Sequence, residues 1–334
     1  MSVFNTLWSA AQRMLLQKKI EQTRIERPPV FIIGHWRTGT TLLHELLTCD
    51  PQFAYATNYD CFVPHHFLLS KRFFAPFVGW LLPQRRPMDD MLLRPHLPQE
   101  DEFALCGLGA PTPYLRMAFP NREVGDLDLL NFDSASPEKV ARFRESLEYF
   151  FKALTYHYGG KQLVLKSPPH TGRVRLLSQW FPGAKFIHIA RDPFQVFGST
   201  LRLWRSLDQV QGFQLARYTE SQLHDLVMDS YARMYEGYFA QRDALPAENL
   251  IELKFEDLVA APQVEVQKIY ERLSLGDFND SVRGNIAEYL EQRRDHQARP
   301  ARLDEATQRR VRREWSKYFD AFGYEHAASH TALV

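Results

Sequence analysis

The residues best suited to bind an anion stand in the segment GHWRTGTT, residues 34–41. It directly follows a short apolar run and opens an apolar helical pattern, so the order is strand, glycine loop, helix. Backbone N–H groups in such a loop, together with the start of a helix, favour an anion. Thr40 occupies the position where a nucleoside triphosphatase needs lysine, and the cation is Arg37 inside the loop. The loop therefore predicts a site for one compact anionic group rather than a magnesium triphosphate. The predicted site comprises Gly34, Arg37, Thr38, Gly39, Thr40 and Thr41.

A second polar pair follows a later apolar run, in the segment FIHIARDPFQVFGST. Arg191 ends the predicted strand, Pro193 suits the first turn of the next helix, and Ser199 follows on that helix. A guanidinium fork and a hydroxyl together suit a phosphate monoester. Arg191 beside Asp192 is, taken alone, more often a surface ion pair. The predicted phosphate site therefore depends on a partnership with the first loop.

The pattern of apolar residues predicts the elements that carry these groups. Strand-like runs lie at 30–33, 163–165, 186–189 and 250–253, and helical patterns lie at 40–47, 137–158, 171–180, 194–204 and 221–244. Strands that alternate with helices imply βαβ units and an α/β fold with a mostly parallel sheet flanked by helices. Ligands of such sheets bind beyond the carboxyl ends of the strands, where both polar groups fall.

The predicted domain organisation is an N-terminal amphipathic helix over 1–27 and one domain over 28–334. A proline-rich segment at about 60–120 has little periodicity, and it predicts an irregular loop inserted in that domain. Long loops in compact domains usually form lids or binding sites.

Three segments together resemble the sulfotransferases that use 3′-phosphoadenosine 5′-phosphosulfate, most closely the bacterial and tyrosylprotein-type branch. They are GHWRTGTT, LVLKSPPHTGRVRLLSQWFPGAKFIHIARDPFQVFGS and LIELKFEDLVAAP, with a weaker echo in EWSKYFDAFGYE. The resemblance implies a P-loop-like sulfotransferase architecture without a required metal ion. It also implies that the first loop binds the 5′-phosphosulfate, and that Arg191 and Ser199 bind the 3′-phosphate. The Arg-Lys-Gly loop of the small-molecule cytosolic enzymes has no counterpart. A basic stretch in the corresponding region forms either a solvated face or a substitute for that loop. Its members are Arg293, Arg294, His296, Arg299 and Arg302.

The implied reaction moves a sulfuryl group to an acceptor hydroxyl and leaves a sulfate ester and adenosine 3′,5′-bisphosphate. Negative charge builds on the leaving oxygen in such a loose transfer. Arg37, and Lys166 at the end of LVLK, are the cations predicted to stabilise that charge.

The acceptor hydroxyl also needs a base, which in the family is a histidine or a glutamate. Glu100 and Glu102 in PQEDEFAL rank first, because an adjoining apolar stretch would desolvate a carboxylate and raise its pKa. His170, after the strand that bears Lys166, ranks next. Asp101 stays open, since a helix N-terminus would account for some of these acids.

Aromatic residues suggest how the rest of the ligands are held. Trp36, Trp204 and Phe255 are the candidates for the adenine, and the choice among them stays open. The aromatic-rich region at 55–80 predicts an apolar cleft for a hydroxylated lipid, sterol, phenol or polyketide, although a peptide or glycan acceptor also fits. Two alternative functions remain at this stage, a P-loop kinase-like phosphotransferase and a noncatalytic nucleotide-binding protein.

Composition bounds the partners and the compartment. The chain has 41 basic and 40 acidic residues, a net charge of +1, which argues against nucleic acid as a partner. Three cysteines without a Cys-x-x-Cys pair favour a reducing compartment, and we expect a cytoplasmic protein. The oligomeric state is not indicated.

Two apolar segments bear on membrane contact. The stripe Phe4, Leu7, Trp8, Ala11 and Leu15 predicts a helix packed on the domain. A weak membrane-surface contact is the less favoured reading, and a transit peptide is a third. The segment FFAPFVGWLL, residues 73–82, is too short to span a bilayer. It predicts either a buried core element or an apolar wall of a substrate cavity.

Overall fold

Five parallel strands form one sheet in the order β2-β3-β1-β4-β5. A computed structural model describes residues 2–81, 93–121, 124–293 and 300–325. The strands are β1 (Val30–Ile33), β2 (Phe53–Ala54), β3 (Gln162–Lys166), β4 (Lys185–Ala190) and β5 (Leu250–Lys254). The helices are α1 (Ser2–Gln22), α2 (Thr40–Leu47), α3 (Asn58–Phe62), α4 (Phe67–Leu81), α5 (Asp101–Gly107), α6 (Leu115–Ala118), α7 (Pro137–His157), α8 (Val174–Trp180), α9 (Pro193–Val210), α10 (Glu220–Gln241), α11 (Phe255–Ala260), α12 (Pro262–Leu273), α13 (Asp280–Glu291), α14 (Glu305–Glu314) and α15 (Ser316–Phe322).

The central strand β1 divides two hydrophobic cores, because successive residues of a strand point to opposite faces of a sheet. Phe31 and Ile33 belong to one core, and Val30 and Ile32 belong to the other. All four side chains are fully buried, as in parallel sheets covered by helices on both faces. This arrangement confirms the predicted α/β fold with a parallel sheet flanked by helices, and it brings the carboxyl ends of the strands to one edge.

Several predicted helices have the expected bounds. Helix α2 covers the predicted 40–47, and α9 begins at Pro193. The helix predicted over 171–180 starts later, because a 3-10 turn spans Pro168–Arg173 before α8. Gly172 in that turn lies so close to the chain that a Cβ would stand 2.5 Å from the carbonyl oxygen of Leu130. Tertiary packing therefore sets the start of the helix.

The irregular loop predicted over 60–120 is wrong for much of its described part. Helix α4 and the shorter helices α5 and α6 occupy this segment, and α3 overlaps its start. Pro76 lies inside α4, where it removes one backbone donor without ending the helix. Residues 82–92 of the predicted loop lie outside the described residues.

Helix α1 packs on the domain, but only part of the predicted stripe takes part in the contact. The side chain of Gln12 donates to Tyr149 of α7 at 3.4 Å and accepts the backbone N–H of Leu68 of α4 at 3.0 Å. Leu7 and Leu15 of the predicted stripe are 65% and 66% exposed. The prediction that this stripe packs on the domain therefore holds for Phe4 and Trp8, whose rings lie 5.1 and 5.5 Å from that of Phe74 of α4, and is wrong for Leu7 and Leu15. Within the described part of the chain, no helix is both long and apolar enough to cross a bilayer.

Candidate active site

The loop between β1 and α2 follows a path that only a few residue types permit. Its backbone is left-handed at Gly34, Arg37 and Gly39, with φ angles of 142°, 71° and 100°. A Cβ on Gly34 would lie 2.6 Å from the carbonyl oxygen of Ile189, and one on Gly39 would overlap the ring of Phe255. Gly39 is also the N-cap of α2, and no described side chain caps this helix. The exposed helix start is the part of the loop that suits an anion.

Some hydrogen-bond donors of the loop are already used in contacts within the protein. Thr38 is fully buried, its backbone N–H donates to the carbonyl of His35 at 3.2 Å, and its hydroxyl donates to the same oxygen at 2.7 Å. The N–H of Gly34 donates to the hydroxyl of Thr171 at 2.8 Å. Gly34 and Thr38 therefore use these donors to shape the loop. Arg37, Gly39 and Thr41 stay partly exposed, and Thr40 is the first residue of α2.

The structure joins the two predicted anion groups in one cluster. The Nε of Arg37 donates to the Oγ of Ser199 at 2.9 Å, and Nη1 of Arg191 donates to the carbonyl of Arg37 at 2.9 Å. The guanidinium of Arg191 stacks on the ring of Phe255 at 4.2 Å. Burial, and then the charge of Arg37, lowers the pKa of Arg191 from its usual value. Two cations held this close favour a ligand that carries negative charge.

The C-terminal helix α15 holds the Arg191 end of this cluster. The backbone N–H of Arg191 donates to the Oη of Tyr318 at 3.0 Å, and that hydroxyl lies 3.2 Å from the Arg191 carbonyl. Glu256 accepts the N–H of Asp192 at 3.1 Å and the hydroxyl of Tyr324 at 2.9 Å. Two tyrosines of the segment EWSKYFDAFGYE therefore hold the Arg191 end of the anion site through these hydrogen bonds.

Glu100 and Lys166 form an ion pair at the carboxyl end of β3. The Nζ of Lys166 lies 2.6 Å from Oε1 of Glu100, and the Lys166 side chain is almost fully buried. The other oxygen of Glu100 accepts from the hydroxyl of Tyr114, whose oxygen accepts from Nε1 of Trp36 at 3.2 Å. Trp36 belongs to the anion loop, so one hydrogen-bonded path joins that loop to the ion pair. Burial, and then the charge of Glu100, raises the pKa of Tyr114 well above its usual value. Tyr114 is therefore a neutral donor at physiological pH.

Glu102 has a different environment, although it ranked with Glu100 in the sequence. It is fully buried, Arg173 donates to both of its carboxylate oxygens at 2.8 and 3.1 Å, and Thr112 donates to it at 2.6 Å. An acceptor hydroxyl has no approach to a carboxylate enclosed in this way. The structure therefore corrects the prediction of Glu102 as a base and gives it a structural contact.

His170 and Asp101 form a second buried pair. Nε2 of His170 lies 2.7 Å from Oδ2 of Asp101, and the hydroxyl of Ser167 donates to Oδ1 at 2.9 Å. Burial alone would raise the pKa of Asp101, but the charge and hydrogen bond of His170, with that of Ser167, lower it overall. The His170 ring is fully buried and packs edge-on against Phe31 at 5.6 Å. His170, ranked second as a base, is thus enclosed in the core and paired with Asp101.

The aromatic candidates and the residues of the basic stretch also differ in their burial and contacts. Trp36 and Trp204 are buried with ring centroids 5.6 Å apart, whereas Phe255 is partly exposed beside the anion cluster. In the basic stretch, Arg293 pairs with Glu45 of α2, and Arg302 is exposed. Its members Arg294, His296 and Arg299 lie outside the described residues.

The chain returns from the basic stretch beside Ser199. The backbone N–H of Ala301 donates to Gln195 of α9 at 2.8 Å, and a Cβ on Gly198 would lie 2.5 Å from the Cβ of Ala301. Among the described residues, no cluster of three or more histidines, cysteines or acids could hold a metal ion.

Sequence reasoning missed two residues that organise the site. Tyr114 lies in PTPYLR, where no motif distinguishes it, and Arg173 lies in a stretch of ordinary helical composition. Both act through partners far away in the sequence, and only the fold brings those partners together. Asp101 was noticed only as one of three neighbouring acids, without its partner.

The fold and this site together define a P-loop-like group-transfer enzyme whose loop lacks the usual lysine. A model described as "Sulfotransferase family" matches residues 28–280, and the chain belongs to that family. The chain is 37% identical over 325 residues to the omega-hydroxy-beta-dihydromenaquinone-9 sulfotransferase Stf3 of Mycobacterium bovis and of Mycobacterium tuberculosis. Each alignment covers 97% of this chain and 82% of the relative. The crystal structure of sulfotransferase STF9 from Mycobacterium avium has the same fold, with a TM-score of 0.68 and 18% identity over 94% of this chain and 81% of that chain.

The chain is therefore a sulfotransferase, which confirms the predicted transfer of a sulfuryl group to an acceptor hydroxyl. This identification sets aside the kinase-like and the noncatalytic alternatives.

Proposed function

We propose that this sulfotransferase takes its sulfuryl group from 3′-phosphoadenosine 5′-phosphosulfate and passes it to a hydroxyl of an apolar, lipid-like acceptor in the cytoplasm. The observation that carries the proposal is the Glu100–Lys166 pair, which a hydrogen-bonded path joins to the anion loop. A base, a cation and an anion site then meet at one edge of the sheet.

The residues around the anion loop fit a donor with phosphate groups at two separated places. The start of α2, with Thr40, Thr41 and the partly exposed Arg37, suits the 5′-phosphosulfate. Arg191 and Ser199 suit the 3′-phosphate. Arg302, the exposed described end of the basic stretch, adjoins Ala301, which packs against α9 beside Ser199. We assign the adenine to Phe255, the partly exposed member of the three aromatic candidates.

The donor supplies an activated sulfuryl group, and the protein supplies a proton acceptor and positive charge. Glu100 takes the proton of the acceptor hydroxyl, because it is the partly exposed carboxylate of the three neighbouring acids. Lys166 places its ammonium beside that carboxylate, where it stabilises charge that develops on the transferring group. Arg37 contributes charge from the loop. Tyr114 is a positioning residue that fixes the Glu100 carboxyl through its hydroxyl.

An aromatic path supports an apolar acceptor. Phe62 of α3 is exposed, its ring lies 6.1 Å from that of Phe103 of α5, and Phe103 lies 4.9 Å from Tyr114. The path therefore leads from the surface to the hydroxyl that holds Glu100. The relative Stf3 is named for an acceptor with a hydroxylated menaquinone structure, a lipid of the same chemical character. We propose a hydroxylated isoprenoid quinone or similar lipid as the acceptor class.

The test uses purified protein with sulfur-labelled donor and a panel of acceptors: a hydroxylated isoprenoid quinone, a sterol, a phenol, a sugar and a short-chain alcohol. We expect label on the apolar acceptors, with little or none on the sugar and the short-chain alcohol. Calorimetry should also detect binding of adenosine 3′,5′-bisphosphate without added Mg²⁺. The proposal fails if the bisphosphate does not bind, or if label passes to the sugar as readily as to the lipids.

A further inference from the structure

Two neighbouring helices, α1 and α4, leave a set of large apolar side chains in solvent. Phe73, Phe77 and Trp80 of α4 are 58%, 69% and 86% exposed. Their spacing places them on one side of the helix. This side of α4 is therefore not the buried core element that the composition of the segment at 73–82 predicts, whereas Phe74, Ala75 and Val78 of the same helix pack on the core. Residue 82 lies outside the described residues. The three exposed residues of α4, together with the exposed Leu7 and Leu15 of α1, are called the α1–α4 face.

The contacts between the two helices make this face continuous. The ring of Trp8 lies 6.4 Å from that of Phe73 and 5.5 Å from that of Phe74, and Phe4 lies 5.1 Å from Phe74. The inner residue Phe74 packs on the core, so the outer residues are held in place. Contiguous exposed apolar surface of this kind marks an interaction site rather than ordinary scattered surface residues.

The charge of α1 indicates which partner fits. Arg13, Lys18 and Lys19 are exposed on this helix, and the chain has no acidic residue before Glu21. The whole chain is almost neutral, with a net charge of +1, so this positive charge is a local feature. A helix with apolar and basic residues, beside tryptophan and phenylalanine, suits the headgroup region of an anionic bilayer.

We propose that the α1–α4 face docks the protein on the surface of an anionic lipid bilayer. Leu7, Leu15, Phe77 and Trp80 enter the boundary between headgroups and acyl chains, and the basic residues of α1 contact the lipid phosphates. The docking does not depend on sulfuryl transfer. A lipid acceptor would make it useful, but vesicle binding is measured without donor or acceptor, so the two proposals can fail separately.

The experiment measures co-sedimentation with vesicles of phosphatidylcholine alone and of phosphatidylcholine mixed with phosphatidylglycerol. One double variant carries Leu7→Gln and Leu15→Gln, and another carries Phe77→Ser and Trp80→Ser. Val264→Ser is the matched control, because Val264 is an exposed apolar residue on α12, outside the face. All variants should keep the unfolding profile of the parent protein, since each change is at an exposed position.

We expect the parent protein and the Val264→Ser variant to bind the anionic vesicles. Each double variant should bind at least about tenfold more weakly, because it loses two apolar anchors. Added salt should weaken the binding of the parent protein. Absence of binding to anionic vesicles would overturn the proposal, as would equal binding by the double variants. The proposal would also be overturned if the parent protein did not bind vesicles and was a dimer while the double variants were monomers. The α1–α4 face would then contact a second copy of the chain.

Discussion

Replacing Glu100 by glutamine and replacing Glu102 by glutamine should produce different defects, although the two residues are close neighbours in the sequence. Glu100 is partly exposed beside Lys166, so Glu100→Gln removes a proton acceptor and keeps an amide oxygen for the lysine. Glu102 is fully buried and neutralises Arg173, so Glu102→Gln leaves a buried guanidinium without its counter-charge. The first change should mainly affect turnover, and the second should mainly affect stability.

The magnitudes follow from these environments. Loss of a general base lowers kcat by about 10²–10⁴-fold. Breaking a buried ion pair by removing one partner lowers the free energy of unfolding by about 3–5 kcal/mol. Glu100→Gln should cost only about 1–3 kcal/mol of stability, because Glu100 is partly exposed and water can replace part of its interaction with Lys166, whereas Glu102 and Arg173 are both enclosed. Both variants should bind adenosine 3′,5′-bisphosphate, since neither residue contacts the anion loop directly.

The assay combines label transfer from the donor, urea unfolding and bisphosphate calorimetry, each at a temperature where both variants are folded. A surface variant, Glu148→Gln, removes an exposed ion pair with Arg144 and serves as the control for loss of a glutamate charge. The reasoning is refuted if Glu100→Gln retains its kcat. It is equally refuted if folded Glu102→Gln loses as much kcat as Glu100→Gln, because a carboxylate held by Arg173 would then be acting in the reaction.

Three further predictions test the anion site and one buried histidine, His35. Arg191→Lys should weaken bisphosphate binding by about 10–100-fold in calorimetry, because lysine lacks the planar fork that also reaches the Arg37 carbonyl; unchanged affinity would contradict this role. Gly39→Ala should lower both thermal stability and bisphosphate affinity, since its Cβ would overlap Phe255 at a left-handed position; normal binding would show that the loop has room to move. Burial lowers the pKa of His35 to about 3 from 6.5. The unfolded chain therefore binds a proton that the folded chain does not as pH falls below 6.5, and stability decreases toward pH 3. The loss for this residue is about 2 kcal/mol at pH 5. Urea unfolding at pH 7 and pH 5 measures this loss. The free energy of unfolding should fall less between the two pH values for His35→Gln than for the parent protein, and an equal fall would count against the lowered pKa of His35.

The sequence predicted the frame of the molecule because strands, glycine loops and capped helices are local features. The order of apolar runs predicted the parallel sheet, and the segment at 34–41 connects β1 to α2 as expected, with its last two residues inside the helix. The pairing of Arg37 with Ser199 was suggested only indirectly, through two motifs that were assigned to opposite ends of one ligand. Chain folding makes them direct neighbours.

The base could not be chosen from the sequence, because three adjacent acids face three different environments. The helical twist of α5 and its N-cap directs Glu100 to Lys166, Asp101 to His170 and Glu102 to Arg173. Each partner lies at the end of β3 or after it, more than sixty residues away. The outward part of the α1 stripe, Leu7 and Leu15, was misjudged for a related reason, since an apolar face does not indicate whether protein or another apolar phase covers it. Gln12, a polar residue, makes inward contacts beside the packed rings of Phe4 and Trp8.

The central position of β1 has a consequence for how the protein is made. β1 is synthesised well before its neighbours β3 and β4, which begin at residues 162 and 185, and before Ser199, which accepts from Arg37. At a ribosomal rate of about 5–20 residues per second, the loop waits on the order of 10–30 s for the chain that completes it. During that interval an apolar strand has no partner and is open to aggregation or to a chaperone. Productive synthesis therefore depends on protecting residues 30–33 of the nascent chain until β4 has emerged, and ribosome-bound chains ending before residue 185 should bind a chaperone more strongly than longer ones.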